Sequence, residues 1–366
     1  MPQTRRERQP QRKRRRSRRR ARGRPLWLDL TLIALGVIIA LTAIAAVCLG
    51  LYRQFYSPSA FVERYLSLLA DGRAADALLV PGVTIDSVTL EQLGLSVNSS
   101  DVLLRRDALA TLTEVQRVSE EPSGDTTLVT VSYQAGGHAG TTTFEVTAGD
   151  RVGFLPTWRF ASSPLAVMQL TVTGSSDFIV NGFPLDKNQV YPPDLKLDQN
   201  QPLAMLVFTP GIYTIAVDNP VAQTSGVAML SDRPLISIPV KVAAEPTEKF
   251  VAVVQDKVDA FLTACTAQRV LQPTGCPFGY SITDRVLGEP TWSVPKLPTV
   301  RLKPDGSSWR IPATESTARI EMTAQSLFDG STYPVSEDVG FVMRANITVL
   351  ADNSVAIEVS GRPILD

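Results

Sequence analysis

The sequence predicts an α+β protein: a single transmembrane helix followed by two helix-then-antiparallel-sheet units flanking an all-β domain. Three observations carry this reading. Residues 30–51 form a 22-residue run without a charge. Apolar spacing changes from a period of about 3.6 to one of 2 in the stretch before residue 165, and does so again after residue 245. Between them, residues 165–242 show no amphipathic helix and many Pro and Gly. The boundaries that follow are a basic tail at 1–25, the span at 26–52, an α+β unit at 57–164, a β domain at 165–244 and a second α+β unit at 245–366.

Formal charge sums to zero, 36 Lys+Arg against 36 Asp+Glu, but the balance hides two regions of opposite sign. Residues 1–24 hold thirteen basic residues and one acidic residue, Glu7, which leaves 23 basic against 35 acidic residues in the remainder. At 44% apolar the chain can fill ordinary cores, which excludes disorder, collagen and a polytopic membrane protein as whole-chain descriptions. One His and three Cys leave few metal ligands.

At 1.5 Å per residue a 22-residue helix covers the roughly 30 Å hydrocarbon core of a bilayer. Twelve of its residues are Leu, Ile or Val, which favour insertion by roughly 4 to 7 kcal/mol. Trp27 before the run, and Tyr52, Phe55 and Tyr56 after it, stand where amphipathic rings prefer the two interfaces. The run exceeds the apolar core of a signal peptide and no clear small-residue cleavage site follows, so an uncleaved anchor is expected. The residues before Cys48 fit a lipoprotein box poorly, which makes it a helix residue. The basic flank puts the N-terminus in the cytoplasm and residues 53–366 outside it.

Arg12, Lys13, Arg14, Arg15, Arg16, Arg18, Arg19 and Arg20 form a polybasic segment that can neutralise phosphates of lipid or of nucleic acid. Its place beside a span favours anionic headgroups, and no aromatic residue is interleaved before Trp27 to stack on bases. Membrane lipid is therefore an expected partner and nucleic acid is not. Abundant Arg, Ala and Val with scarce Lys, Asn and His resemble chains from GC-rich bacterial genomes, which makes the outer side a cell envelope.

Ser57 starts a helix carrying Phe61, Tyr65, Leu68 and Leu69, stopped by Asp71-Gly72. A short helix fits 73–79, and a further helical piece is expected over 101–112. Strands are expected around Leu128 to Val131, over 142–146 and over 152–160. This order resembles the cone-like fold of nuclear-transport-factor-two-like proteins, on Phe61, Tyr65 and Leu66 of a leading helix and Trp158 and Phe160 of a closing strand. The resemblance implies helices on a curved sheet around an open cavity.

In the middle stretch, 167–172, 178–180, 205–208 and 212–217 are strand candidates, with turns at Asn181-Gly182 and Pro210-Gly211. Val180-Asn181-Gly182 and Pro210-Gly211-Ile212-Tyr213 resemble signatures of PEGA-type and teicoplanin-resistance-associated envelope domains, which implies a spacer or binding module. Two turns in an unrelated sandwich remain the other reading. In the last unit a helix is expected over 246–268 with Pro246 in its first turn, and with Phe250, Val254, Val258, Phe261, Leu262 and Cys265 as its apolar stripe. Alternating strands follow at 318–323 and 355–359, the second after an Asp352-Asn353 turn. Pro156-Thr157-Trp158 and Pro290-Thr291-Trp292 hint at a duplication. The stretch 265–278, closing on Gly275-Cys276-Pro277-Phe278, resembles uncharacterised single-pass envelope proteins of actinobacteria, which implies a location and no chemistry.

Cys265 and Cys276 enclose ten residues in an oxidising compartment, so a structural disulfide is expected ahead of a redox or metal role. His138, between Gly137 and Ala139, reads as an exposed hairpin tip. Ser293-Val294-Pro295-Lys296 matches the S-x-x-K of penicillin-interacting enzymes, yet lies between prolines in a strand-like piece and lacks the partner motifs. No catalytic residue, metal site or cofactor is expected. The functional expectation is a non-enzymatic envelope protein that binds or positions a protein or wall component. An anchored wall-acting enzyme and a sensor signalling through the basic tail are the alternatives.

Overall fold

The computed structural model describes residues 26–150, 156–190, 201–350 and 354–364. It is α+β and mostly sheet, with one long apolar helix near the N-terminus, and the chain divides into two compact units at Phe55/Tyr56. Helix α1 (Leu26–Tyr56) is 31 residues of almost unbroken apolar character. Thr42 is absorbed within it, its hydroxyl donating to Ile38 O at 3.0 Å and Ile39 O at 2.9 Å.

The second unit opens with α2 (Pro58–Ala70), where Pro occupies the first turn and Ser57 accepts from Ala60 N at 3.1 Å. Gly72, at φ +69°, ends it in the left-handed conformation that glycine adopts without strain. Helices α3 (Ala74–Leu78) and α4 (Ser87–Gln92) follow, the latter capped by Asp86 and not foreseen. The helix expected over 101–112 is replaced by turns and one 3-10 turn, Arg106–Ala108. The stretch is tied at both ends to distant parts of the chain: Ser100 bridges a strand through Ser100 N to Ala204 O and Leu206 N to Ser100 O, both 2.8 Å, and Ala108 O accepts from Asn181 Nδ2 at 2.8 Å in place of a helical partner.

The first sheet is antiparallel in the order β1 (Leu112–Ser123), β2 (Thr126–Ala135), β3 (His138–Ala148) and β4 (Trp158–Phe160). Only 158–160 of the strand expected over 152–160 is seen, and 151–155 lie outside the described residues. Alternation on β2 buries Val129, Val131, Tyr133 and Ala135, which face α2 in one core with Phe61, Tyr65 and Leu66. Trp158 Nε1 donates to Tyr56 O at 2.8 Å.

The middle stretch holds β5 (Leu165–Thr173), β6 (Asp177–Val180), β7 (Phe183–Asp186), the one-turn helix α5 (Lys187–Val190), β8 (Leu203–Phe208), β9 (Gly211–Ala216), β10 (Ala222–Gln223), β11 (Val227–Ser231) and β12 (Ser237–Ala243). All of these strands but β10 make two sheets, ordered β11-β9-β6-β7 and β12-β5-β8. The β5 and β12 strands run parallel, Ser237 to Ala243 against Val167 to Thr173. Asn181 and Gly182, at φ +50° and +88°, form the predicted two-residue hairpin turn. Asn181 also ties the turn down, donating to Ala108 O and Ile212 O at 2.8 Å each.

After β13 (Glu245–Pro246), which pairs with β10, helix α6 (Glu248–Thr266) begins two residues later than expected. Thr247 supplies the cap by accepting from Phe250 N at 3.2 Å, while Pro246 is held in the short ladder. The expected stripe is buried at Phe250, Val254, Val258, Leu262 and Cys265, with Phe261 half-buried. The last sheet runs β14 (Arg285–Ser293), β16 (Ser308–Gln325), β17 (Thr332–Val349) and β18 (Val355–Pro363), with β15 (Lys303–Asp305) beside β16. Ala318, Ile320 and Met322 point inward as the alternation required. The turn expected at Asp352-Asn353 lies outside the described residues. One core joins α6 and this sheet to the middle strands, with Trp309 packed against Gly174 and Ala244.

Candidate functional site

The stretch Leu30–Tyr56 of α1 is the one helix among the described residues long and apolar enough to cross a membrane. Trp27 is exposed at its N-terminal end and Tyr56 is partly exposed at its C-terminal end. Tyr52 lies in α1, but its side chain is outside the described residues, as is the whole polybasic segment Arg12 to Arg20. Cys48 is an exposed residue of this helix.

Cys265 and Cys276 are joined, with sulfurs 2.08 Å and Cα atoms 5.7 Å apart. The bridge fastens the last turn of α6 to the following loop. Gln268 clasps that loop, its Nε2 donating to Thr274 O at 3.2 Å and its Oε1 accepting from Thr274 N at 2.8 Å. Phe278 then packs between Trp292 and Phe341, with ring centroids 4.9 and 5.4 Å away. These neighbours make the bridge part of the core scaffold.

The most chemically distinctive cleft, about 400 Å³, lies on the β6–β7 hairpin and is lined by Asp177, Asp186, Gln189, Asp218 and Asn219 among others. Asp177 and Asp186 are directly opposed across the strands. Burial, a hydrogen bond to Asp186 and the charge of Asp186 together raise the pKa of the Asp177 carboxyl from its ordinary value. Next in sequence, Lys187 is buried, and its Nζ donates to Val172 O at 2.7 Å and Ser307 Oγ at 2.8 Å. Loss of solvation lowers its pKa to about 8, against the opposing pull of Asp186. Both of these contacts are internal, so the amine serves as a tie and is not presented as a nucleophile.

The carboxylate pair was not singled out from the sequence, though a signal existed. A two-residue turn at Asn181-Gly182 places residues equally distant from it face to face, and Asp177 and Asp186 are each four residues away. No group of three or more His, Cys, Asp or Glu suited to a metal occurs among the described residues. His138 is exposed at the start of β3, beside the Gly136-Gly137 turn. Ser293 ends β14, with Lys296 exposed in the loop beyond. A second cleft of about 460 Å³ lies between that loop and β16, walled by Lys296, Pro298, Thr317, Arg319 and Asp338 among others. Between α2 and the first sheet, the volume is filled by Phe61, Tyr65, Phe144 and Phe160, whose centroids lie 5.0 to 6.2 Å apart. The chain matches no protein-family profile, no curated protein and no solved structure.

Proposed function

We propose that this chain is a single-pass membrane protein, with a cytoplasmic basic tail and an outer region that binds or positions a protein or wall component in a bacterial envelope, without catalysis. The apolar helix α1 is the observation that carries the reading. The thirteen basic residues before it and the net acidic chain after it support a cytoplasmic N-terminus, since a basic flank resists translocation. A disulfide in the distal unit is compatible with an oxidising side. The cone-like and PEGA-type readings of the outer region belong to this proposal and rest on the sequence signatures alone. Protease added to intact, wall-stripped cells should digest residues beyond the span and leave the tail protected. Survival of the C-terminal half in those cells would overturn the topology.

An anchored enzyme acting on wall material is the second reading, favoured by the Asp177–Asp186 pair in its cleft. Turnover of peptidoglycan or an ester by the purified protein, lost in D177N, would establish it.

A further inference from the structure

Residues 326–331 close the β16–β17 hairpin beyond its last pair, Gln325 and Thr332. All six of their amides have an acceptor. Ser326 N donates to Ser331 O at 2.9 Å and Gly330 N to Ser326 O at 3.0 Å. Phe328 N and Asp329 N share Ser326 Oγ at 3.2 and 3.4 Å, and Ser331 N reaches Asp329 Oδ1 at 3.1 Å. Leu327 N donates to Asp284 Oδ1 at 3.2 Å, and the other oxygen of that carboxylate accepts from Tyr333 OH at 2.6 Å.

Polar atoms alone therefore shape this turn, and the side chains of Leu327 and Phe328 are not needed to close it. They stand 71% and 99% exposed, and among the described residues outside α1 no large apolar side chain is as exposed as Phe328. Scattered apolar residues on a surface need no explanation. An adjacent pair held at the end of a fully bonded turn differs, because its backbone is already ordered and binding has only the side chains to fix.

We propose that Leu327 and Phe328 are the anchor by which the outer region docks another protein, inserting into an apolar pocket rimmed by Lys or Arg. Charge selects this occupant. The carboxylates of Asp329 and Asp284 are bonded to the turn that carries the pair, which favours a basic rim. Anionic lipid would repel these carboxylates. A second copy would bring the same acidic tip to a chain with 23 basic against 35 acidic residues after residue 24. The inference rests on the binding reading above and supplies its contact point.

The test places a photo-crosslinking phenylalanine analogue at Leu327 of the full chain in its native cells, with linked peptides mapped by mass spectrometry. The expected result is one adduct, on an apolar pocket of a single other protein with Lys or Arg at its rim. F328A should lower its yield by at least about tenfold, as truncation of a central anchor does. D329N, which keeps the acceptor oxygen and removes the charge, should lower it about threefold. Both variants should melt where the parent chain does, since the Phe328 side chain is unpacked and D329N keeps the acceptor for Ser331 N. Adducts to lipid or to a second copy, no defined adduct, or yields unchanged in F328A would overturn the proposal. External protease on the same cells separates the two failures: a digested chain without an adduct refutes the docking tip alone, and a protected adduct refutes the outward topology alone.

Discussion

Lys187 Nζ and Ser307 Oγ meet at 2.8 Å across 120 residues of sequence, tying α5 to the turn between β15 and β16. A second bond from the same nitrogen to Val172 O makes Lys187 a three-way joint between β5, α5 and that turn. The backbone repeats the link, with Gly174 N donating to Gly306 O at 2.8 Å.

This joint should be legible in pH dependence. Lys187 has a folded pKa of about 8, below its ordinary 10.5, so between these values the unfolded chain binds more protons. Stability therefore rises with pH across that window, the reverse of a lysine held by a carboxylate. The difference in Tm between the parent chain and K187M, followed from pH 7.5 to 9.5, should move in favour of the parent as pH rises. A flat difference would show that burial does not perturb the amine. Above that range the buried Tyr65 and Tyr213, whose pKa values are raised mainly by desolvation, act in the opposite direction in both proteins.

Two buried tyrosines should differ in what their hydroxyls contribute. Tyr65 OH donates to Thr209 O at 3.1 Å, whereas Tyr213 OH accepts from Phe208 N at 2.9 Å. Y65F removes one donor to a carbonyl and should cost about 1 kcal/mol. Y213F leaves a buried N–H without its acceptor and should cost about 2 to 3 kcal/mol. Denaturant unfolding of both variants ranks them, and the reverse order would contradict the assignment.

Gly174 has φ +86°, and a Cβ there would lie 2.8 Å from Cζ2 of the buried Trp309. G174A combines a left-handed backbone with overpacking and should cost roughly 2 to 4 kcal/mol. The indole fluorescence should change with it, and a variant matching the parent in both measurements would rule the contact out.

Reduction of Cys265–Cys276 should remove about 3 kcal/mol in the chain-entropy account of so short a loop. For a unit of this size that is a Tm lower by about 5 °C in reductant. An unchanged Tm with free thiols demonstrated by labelling would count against a stabilising bridge.

The anchor makes a graded prediction. Replacing one mid-span Leu or Ile by Arg shifts insertion by about 3 to 4 kcal/mol, against roughly 4 to 7 kcal/mol in its favour. I38R or L41R alone should still fractionate with membranes, and I38R/L41R together should not.

Elements whose cause is local could be read directly from the residues. The Ser57 cap, the Gly72 stop, the Asn181-Gly182 turn, the α6 stripe and the Ala318, Ile320, Met322 alternation each appear where expected. The misses share a different cause. Strand β1 is exposed on both faces for most of its length, so it carries no alternation to detect. The helix expected over 101–112 gives way to partners distant in sequence, the strand at Ala204 and Leu206 on Ser100 and Asn181 on Ala108, and β12 finds β5 in parallel across a connection of more than sixty residues. Nothing adjacent in sequence marks Lys187, because its partners Val172 and Ser307 lie 15 and 120 residues away.

The parallel pairing of β5 with β12 has a consequence for reach. A chain returning along an antiparallel neighbour ends where it began, but this one leaves Ala243 beside Thr173, six residues further along than Ser237 beside Val167. At about 3.3 Å per residue the polypeptide has been displaced roughly 20 Å before the next helix starts. The strands between act as a stride, and the hairpin bearing Phe328 is built from the forward foot.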